Sequence, residues 1–529
     1  VTLLHNPVIR GFAPDPSLVR VGDWYYVATS SFEWFPTIPI HRSRDLAHWE
    51  YAGHVRGAAP DDSLAGVPDS GGIWAPSLSW DGERFWVVYS VVRSVGTPYF
   101  DVDAYVSTAA EVNGKWSPPR RVASHGFDPA LFHHEGRLWL LNLQNDHRPG
   151  GRRFAGIVLT ELDRETLNPV GGTHLLLQHE RLIEGPKLLR REGWYHLVLA
   201  EGGTGFEHGV RVARSRAITG PYELDDRPLL TSRDDPSLPL QKAGHGELVQ
   251  TPDGDWVLSH LTARPVHTPD GPRCTLGRET AIQAVAWDEE GRPRLRHGGA
   301  HPAVEVDVPT RPEPLPPRLT SSEDPLGWPW SSLRTAPDPS WADTASRPGW
   351  IRLRGRHGPE SRWAHSLLAQ RITEHRAEAE VTVEARPSTF TQAAGLALWY
   401  NTEAYLSLDV TWAEPEGEEQ HGQQWRGTGR TVLSLVEREE SDTRQAAVVA
   451  VDAEGPLTLG VTVEGAAARF WYLRDGVRTP VGEPLDFGKL SDDHGSKLRF
   501  TGAMAGIHAV DLVDAAFTAD FAGFRLTCW

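Results

Sequence analysis

Five stretches of this chain repeat one phrase, and that periodicity constrains the fold more than any other feature. They are "GFAPDPSLVRVGDWYYVATS" from Gly11, "APSLSWDGERFWVVYS" from Ala75, "DPALFHHEGRLWLLN" from Asp128, "GPKLLRREGWYHLVLA" from Gly185 and "HGELVQTPDGDWVLSH" from His245. Each has a small or turn-forming lead, a Leu three residues on, a polar turn with Gly or Asp, and an aromatic-rich strand. The leucines Leu18, Leu78, Leu131, Leu188 and Leu248 are 60, 53, 57 and 60 residues apart. Several units close on a Ser-to-aromatic phrase, "SRDLAHWE", "STAAEVNGKW" or "SRAITGPYE". Two strands before the phrase and one or two after it give about four strands per unit, close to the roughly 50-residue blade of kelch-type repeats. Five units are too few for a solenoid and enough for a closed ring. The expected fold is all-β, opening with a five-bladed β-propeller.

Composition agrees. The 529 residues exceed one ordinary core, and 51 Gly, 41 Pro and 21 Trp describe a chain of strands and turns. A net charge of −17 argues against nucleic acid as a partner. No run of about 18 apolar residues suggests a membrane span. The opening "VTLLHNPVIRGF" lacks the basic and apolar regions of a signal peptide, so a cytoplasmic location is expected. Cys274 and Cys528 alone make neither a disulfide framework nor a Cys-based zinc site.

The propeller is expected over 1–308. A semi-rigid Pro-rich linker follows at 309–328, with Pro309, Pro312, Pro314, Pro316 and Pro317. Beyond it, "AEAEVTVEA", "AAGLALWY", "YLSLDVTW", "TVLSLVERE" and "LTLGVTVEG" alternate apolar and polar residues as half-buried antiparallel strands do. A β-sandwich is expected over 329–529.

In a propeller the first strand of every blade starts near the axis, so equivalent positions of the repeats meet. Those positions hold Asp15, Ala75, Asp128, Gly185 and His245, each preceded by Pro14, Trp74, Phe127, Glu184 and Gly244 respectively. Taken singly, the Asp-Pro and Glu-Gly pairs read as turn chemistry. Three carboxylates in one dry funnel repel each other and need a reason, which catalysis or a metal would supply.

Ten motifs in order from Asn6 to Gln283, among them "NPVIRGFAPDPSL", "GGIWAPSLSW", "GFDPALF", "IEGPKLL", "AEGGTGFEHGV", "PLQKAGHGELVQTPDG" and "LGRETAIQ", resemble glycoside hydrolase family 43. The resemblance is to its β-xylosidase branch, a propeller followed by a concanavalin-like β-sandwich, and "FTGAMAG" at Phe500 extends it into the second domain. It implies an inverting, exo-acting 1,4-β-xylosidase that releases xylose from xylobiose and short xylo-oligosaccharides. Asp15 matches the general base, Glu184 the general acid, and Asp128 the carboxylate that orients the acid and raises its pKa. Inversion needs base and acid roughly 6.5–9.5 Å apart to admit a water.

The same resemblance makes Arg278 a ligand of substrate hydroxyls, and Phe32, Trp74 and Phe127 the walls against the sugar ring. Phe500 would be an aromatic that closes the pocket. His245 would lie beneath the pocket as a structural or ion-site residue; no cofactor is required, and a structural calcium near His245 is left open. The partner is a small oligosaccharide, with homo-oligomerisation also open. Two positions depart from the pattern: Ala13 stands where an Asn is expected and Lys187 where a His is expected. They bear on substrate preference, since xylopyranose and arabinofuranose offer similar hydroxyls. An α-L-arabinofuranosidase is the alternative reading, as a side activity or the main one. A non-catalytic glycan-binding propeller has no use for three acids, and the Asn-Asp-Pro-Asn type of motif of a retaining fructan hydrolase is absent.

Overall fold

The computed structural model describes residues 2–308, 324–415, 429–451 and 455–529. They divide into two compact units, one of Val1–Asp62, Ser70–Pro265 and Arg278–Thr320, the other of Ser63–Asp69, Val266–Gly277 and Ser321–Trp529. Among the described residues the regular structure is strand, with two short 3-10 turns and no helix long and apolar enough to cross a membrane.

Five antiparallel sheets follow one another along the first unit, each hydrogen-bonded in chain order. Blade 1 comprises Ser17–Val21, Trp24–Ala28, Pro39–Ser43 and Glu50–His54. Blade 2 comprises Gly72–Trp80, Phe85–Val92, Val102–Ala109 and Arg120–Val122. Blade 3 comprises Ala130–His134, Arg137–Asn145, Phe154–Leu162 and Pro169–Leu177. Blade 4 comprises Ile183–Arg191, Trp194–Glu201, Gly209–Ser215 and Glu223–Leu224, with Leu230–Thr231 also on the third strand. Blade 5 comprises Gln241–Gln250, Trp256–Ala263, Glu279–Trp287 and Pro293–Leu295. The first strands touch in the order 1–2, 2–3, 3–4, 4–5 and 5–1, so the ring is closed.

The repeated leucines explain why blades stack. Leu18 is buried with Val257, Ile282 and Ala284 of blade 5, Leu131 with Trp86 and Val88 of blade 2, and Leu248 with Val198 and Val210 of blade 4. Each blade thus buries an apolar face that it could not bury alone. The ring is fastened by Thr2–His5, which pairs antiparallel with Glu305–Val308. Asn6 adds a clasp: its Nδ2 donates to Ile282 O at 2.7 Å and Ala303 O at 2.9 Å, and its Oδ1 accepts from Ile282 N at 2.8 Å.

Two details differ from the sequence expectation. The Ser-to-aromatic phrase follows three strands, not two, because its Ser ends the third strand in blades 1 and 4 and caps the turn beyond. Ser43 Oγ accepts from Leu46 N at 2.9 Å, and Ser215 Oγ from Ala217 N at 3.1 Å. The first unit also lacks two segments inside 1–308. Ser63–Asp69 joins the second unit, where Leu64 N donates to Arg334 O at 2.8 Å and Asp69 Oδ1 accepts from Arg334 Nη2 at 2.9 Å. Val266–Gly277 joins it as a hairpin, with Cys274 N donating to Asp493 Oδ2 at 2.7 Å. Of the linker expected at 309–328, residues 309–323 lie outside the described residues.

In the second unit one sheet runs Asp442–Ala450, Arg430–Glu439, Ala404–Ala413, Gln392–Asn401, Met504–Asp511, Ser366–Arg371, Ser331–Leu333. The other runs Ala342–Asp343, Trp350–Arg354, Thr518–Cys528, Arg376–Ala385, Leu457–Glu464, Ala467–Arg474, Val477–Pro480. Strict alternation along Arg376–Ala385 buries Ala377, Ala379, Val381 and Val383, which share one core with Leu396, Leu398, Leu406, Leu408 and Ile507 of the facing sheet. This is the expected β-sandwich.

Candidate active site

The equivalent positions of the repeat share a backbone conformation as well as a place. Asp15, Asp128, Gly185 and His245 have φ of 54°, 53°, 57° and 50°, the left-handed region. Most residues avoid it; Asp and His tolerate it better than bulky or branched ones. Four blades thus enter the axis through the same bend. Gly185 has a further reason to be glycine, because a Cβ there would stand 2.7 Å from His245 Nε2.

Asp15 is held by three partners. Ser30 Oγ donates to its Oδ2 at 2.5 Å, Arg278 Nη1 lies 3.2 Å from Oδ1, and His245 Nδ1 lies 3.4 Å from Oδ1. Burial would raise its pKa, but Arg278, the bond and charge of His245, and the Ser30 hydroxyl prevail and hold the carboxyl well below its ordinary range. Arg278 is itself steadied by Thr204, whose Oγ1 accepts from the same Nη1 at 2.7 Å. Ala13, beside the motif, is buried, with its N–H on Arg278 O at 3.0 Å and its C=O accepting from Thr280 Oγ1 at 2.7 Å.

The other two acids behave oppositely. Burial and the Asp128 charge push the Glu184 carboxyl up to about 8, with His245 only partly opposing. Asp128 is also raised by burial; His245 works against that, Asp15 adds to it, and the Gly185 N–H, donated to its Oδ2 at 3.0 Å, works against it. Glu184 is half-buried at the start of blade 4. One ring therefore holds a carboxylate that stays ionised and a carboxylic acid that keeps its proton near neutrality. That division is what acid–base chemistry at a single bond requires.

Phe32, Trp74 and Phe127 form a continuous aromatic wall. Ring centroids are 6.3 Å apart for Phe32–Trp74 and 5.3 Å for Trp74–Phe127, and Trp74 Nε1 is fixed by Ser70 O at 2.8 Å. The Arg278 guanidinium stands 5.7 Å from the Phe32 ring. The sequence reading missed Phe100, 5.6 Å from Trp74 and 5.7 Å from Phe127, and the supports Ser30 and Thr204. Phe500 belongs to the second unit, half-buried between the 3-10 turn Phe487–Lys489 and Met504–Asp511.

Burial works against a charge on His245, but its bond to Asp15 and the charges of Asp15 and Asp128 raise its pKa. Calcium takes six to eight oxygen ligands. His245 offers one nitrogen turned to Asp15 and another against Gly185, with the buried Lys187 ammonium near enough to oppose its protonation. This donor set does not fit that ion. Among the described residues no group of three or more His, Cys, Asp or Glu side chains is placed to hold a metal.

A propeller that gathers an ionised carboxylate, a protonated one and an aromatic platform on its axis is the framework of a glycoside hydrolase. The chain belongs to glycosyl hydrolases family 43: that family's profile matches residues 4–293, and the profile of the β-xylosidase C-terminal concanavalin A-like domain matches 321–527. It is 38% identical to the xylosidase/arabinosidase 43B of Humicola insolens, covering 98% of this chain and 96% of that one. It is 36% identical to a xylan 1,3-β-xylosidase of a Vibrio species, covering 99% of each. The crystal structure of a xylan β-1,4-xylosidase from Bacillus halodurans C-125 superposes with a TM-score of 0.92 at 39% identity, over 99% of this chain and 100% of that one.

Proposed function

We propose that the enzyme is an exo-acting, inverting β-xylosidase that releases xylose from the non-reducing end of xylobiose and short β-1,4-xylo-oligosaccharides. The observation that carries this reading is that one ring gathers Asp15, paired with Arg278, Ser30 and His245, and Glu184, whose carboxyl burial and the Asp128 charge push up. Asp15 takes a proton from water as its oxygen attacks the anomeric carbon. Glu184 gives its proton to the glycosidic oxygen as the C–O bond breaks. Afterwards Asp15 carries a proton and Glu184 has lost one, and exchange with solvent restores both. Asp128 keeps Glu184 protonated until substrate arrives, Arg278 binds sugar hydroxyls, and Phe32, Trp74 and Phe127 pack on the apolar edge of the ring. The names of the Bacillus and Humicola relatives support the xylose specificity.

The test is NMR of xylobiose hydrolysis, with α-xylose expected as the first product from a β-linkage. β-Xylose appearing first would mean retention and remove the roles given to Asp15 and the water. The Humicola relative is named for both activities, so α-L-arabinofuranosidase stands as the second reading. A higher kcat/KM on an aryl α-L-arabinofuranoside than on the matching xyloside would place it first.

A further inference from the structure

Two residues beyond the catalytic ring, the five first strands meet again. The positions there are Ser17, Ser77, Ala130, Lys187 and Glu247, four of them buried and Glu247 half-buried. Lys187 Nζ donates to Ser17 Oγ at 3.2 Å and lies 3.5 Å from Glu247 Oε2. Ser17 Oγ donates in turn to Glu247 Oε2 at 2.8 Å, which also accepts from Leu18 N at 3.1 Å, while Leu78 N donates to Ser17 Oγ at 2.9 Å. Blades 1, 2, 4 and 5 thus fix one ammonium on the axis.

Such a pair is expensive, because burying two charges often costs as much as their attraction returns. An apolar plug would pack the axis without that cost. The charges above supply the reason. Asp15 has Arg278, Ser30 and His245, whereas Asp128 has one backbone N–H, that of Gly185, two residues before Lys187 on the same strand. The charges that act on it are those of His245, Asp15, Lys187 and Glu184. We propose that Lys187 is a positioning residue for the reaction: pinned by Ser17 and Glu247, its ammonium holds Asp128 as a carboxylate beside the protonated Glu184. The inference rests on the acid and modulator roles given above. Burial lowers the lysine's own pKa, and Glu247, Asp128 and Asp15 counter this.

The experiment is a carboxyl carbon-13 NMR titration that follows Asp128, its signal assigned as the one lost in Asp128→Asn. The pH profile of kcat/KM is measured beside it on xylobiose, a substrate that needs the proton of Glu184. In Lys187→Met the Asp128 midpoint should move up by roughly one pH unit. In Glu247→Gln it should move down, because an anion has left the axis; this second variant keeps the test open if Lys187→Met fails to fold. An unmoved midpoint in Lys187→Met, with only a lower melting temperature, would reduce Lys187 to a structural residue. A moved midpoint with an unchanged xylobiose profile would deny it a part in the reaction. If Asp128→Asn alone kept the wild-type xylobiose profile, the modulator role of Asp128 would fall, and the Lys187 proposal would fall with it.

Discussion

The backbone N–H of Gly185 donates to Asp128 Oδ2 at 3.0 Å, which ties the modulating carboxylate to the residue next to Glu184. The two acids are therefore coupled through one peptide unit as well as through space. The bond fixes the rotamer of Asp128 against the main chain beside Glu184.

Glu184→Ala should abolish xylobiose hydrolysis while leaving much of the rate on a dinitrophenyl xyloside. Xylose is a poor leaving alcohol and needs the proton, whereas dinitrophenolate departs almost unaided. The alkaline limb, set by a group raised to about 8, should disappear with the aryl substrate. Steady-state kinetics on both substrates check this, and equal damage on both would move the acid role elsewhere.

Asp15→Ala should lose several orders of magnitude in kcat on both substrates, since water still needs its base. Its side chain contacts Ser30, Arg278 and His245, not the blade cores, so circular dichroism should report a native fold. Normal turnover by a folded sample would remove it from the mechanism.

Asp128→Asn removes the like charge that helps raise Glu184. The alkaline limb should move to lower pH by roughly one unit. Poor leaving groups should suffer more than activated ones, which a series of aryl xylosides would read as a steeper dependence on leaving-group pKa.

Stability should carry the same signature. Glu184 binds its proton more tightly folded than unfolded, so its contribution is full below about 4.5 and declines as pH rises towards 8. Glu184→Gln should escape that decline, melting roughly 2–4 °C above the parent at pH 8 and close to it at pH 4. Calorimetry at the two pH values decides it; a constant difference would mean that the effect is not electrostatic.

The sequence exposed residues in phase with the repeat. Leu18 and Leu248, and the acids Asp15, Glu184 and Asp128, occupy positions that recur from blade to blade, so subtraction of residue numbers found them. Ser30, Phe100 and Thr204 were invisible for a common reason. Each lies in the connection after a blade's second strand, following Trp24–Ala28, Phe85–Val92 and Trp194–Glu201. Antiparallel pairing returns the end of the second strand to the start of the first, as in Ser17↔Ala28 and Ile183↔Glu201. Those loops differ in length and composition, so no period marks them. Ser63–Asp69 and Val266–Gly277 escaped notice likewise, being short and outside the repeat.

Asp15 and its guanidinium partner Arg278 lie 263 residues apart in the chain. At ribosomal speed the base is made on the order of tens of seconds before the cation that offsets it. During that interval the acids accumulate on an open ring without Arg278. Closure by the last blade therefore completes the propeller ring and brings a guanidinium to Asp15 in the same step.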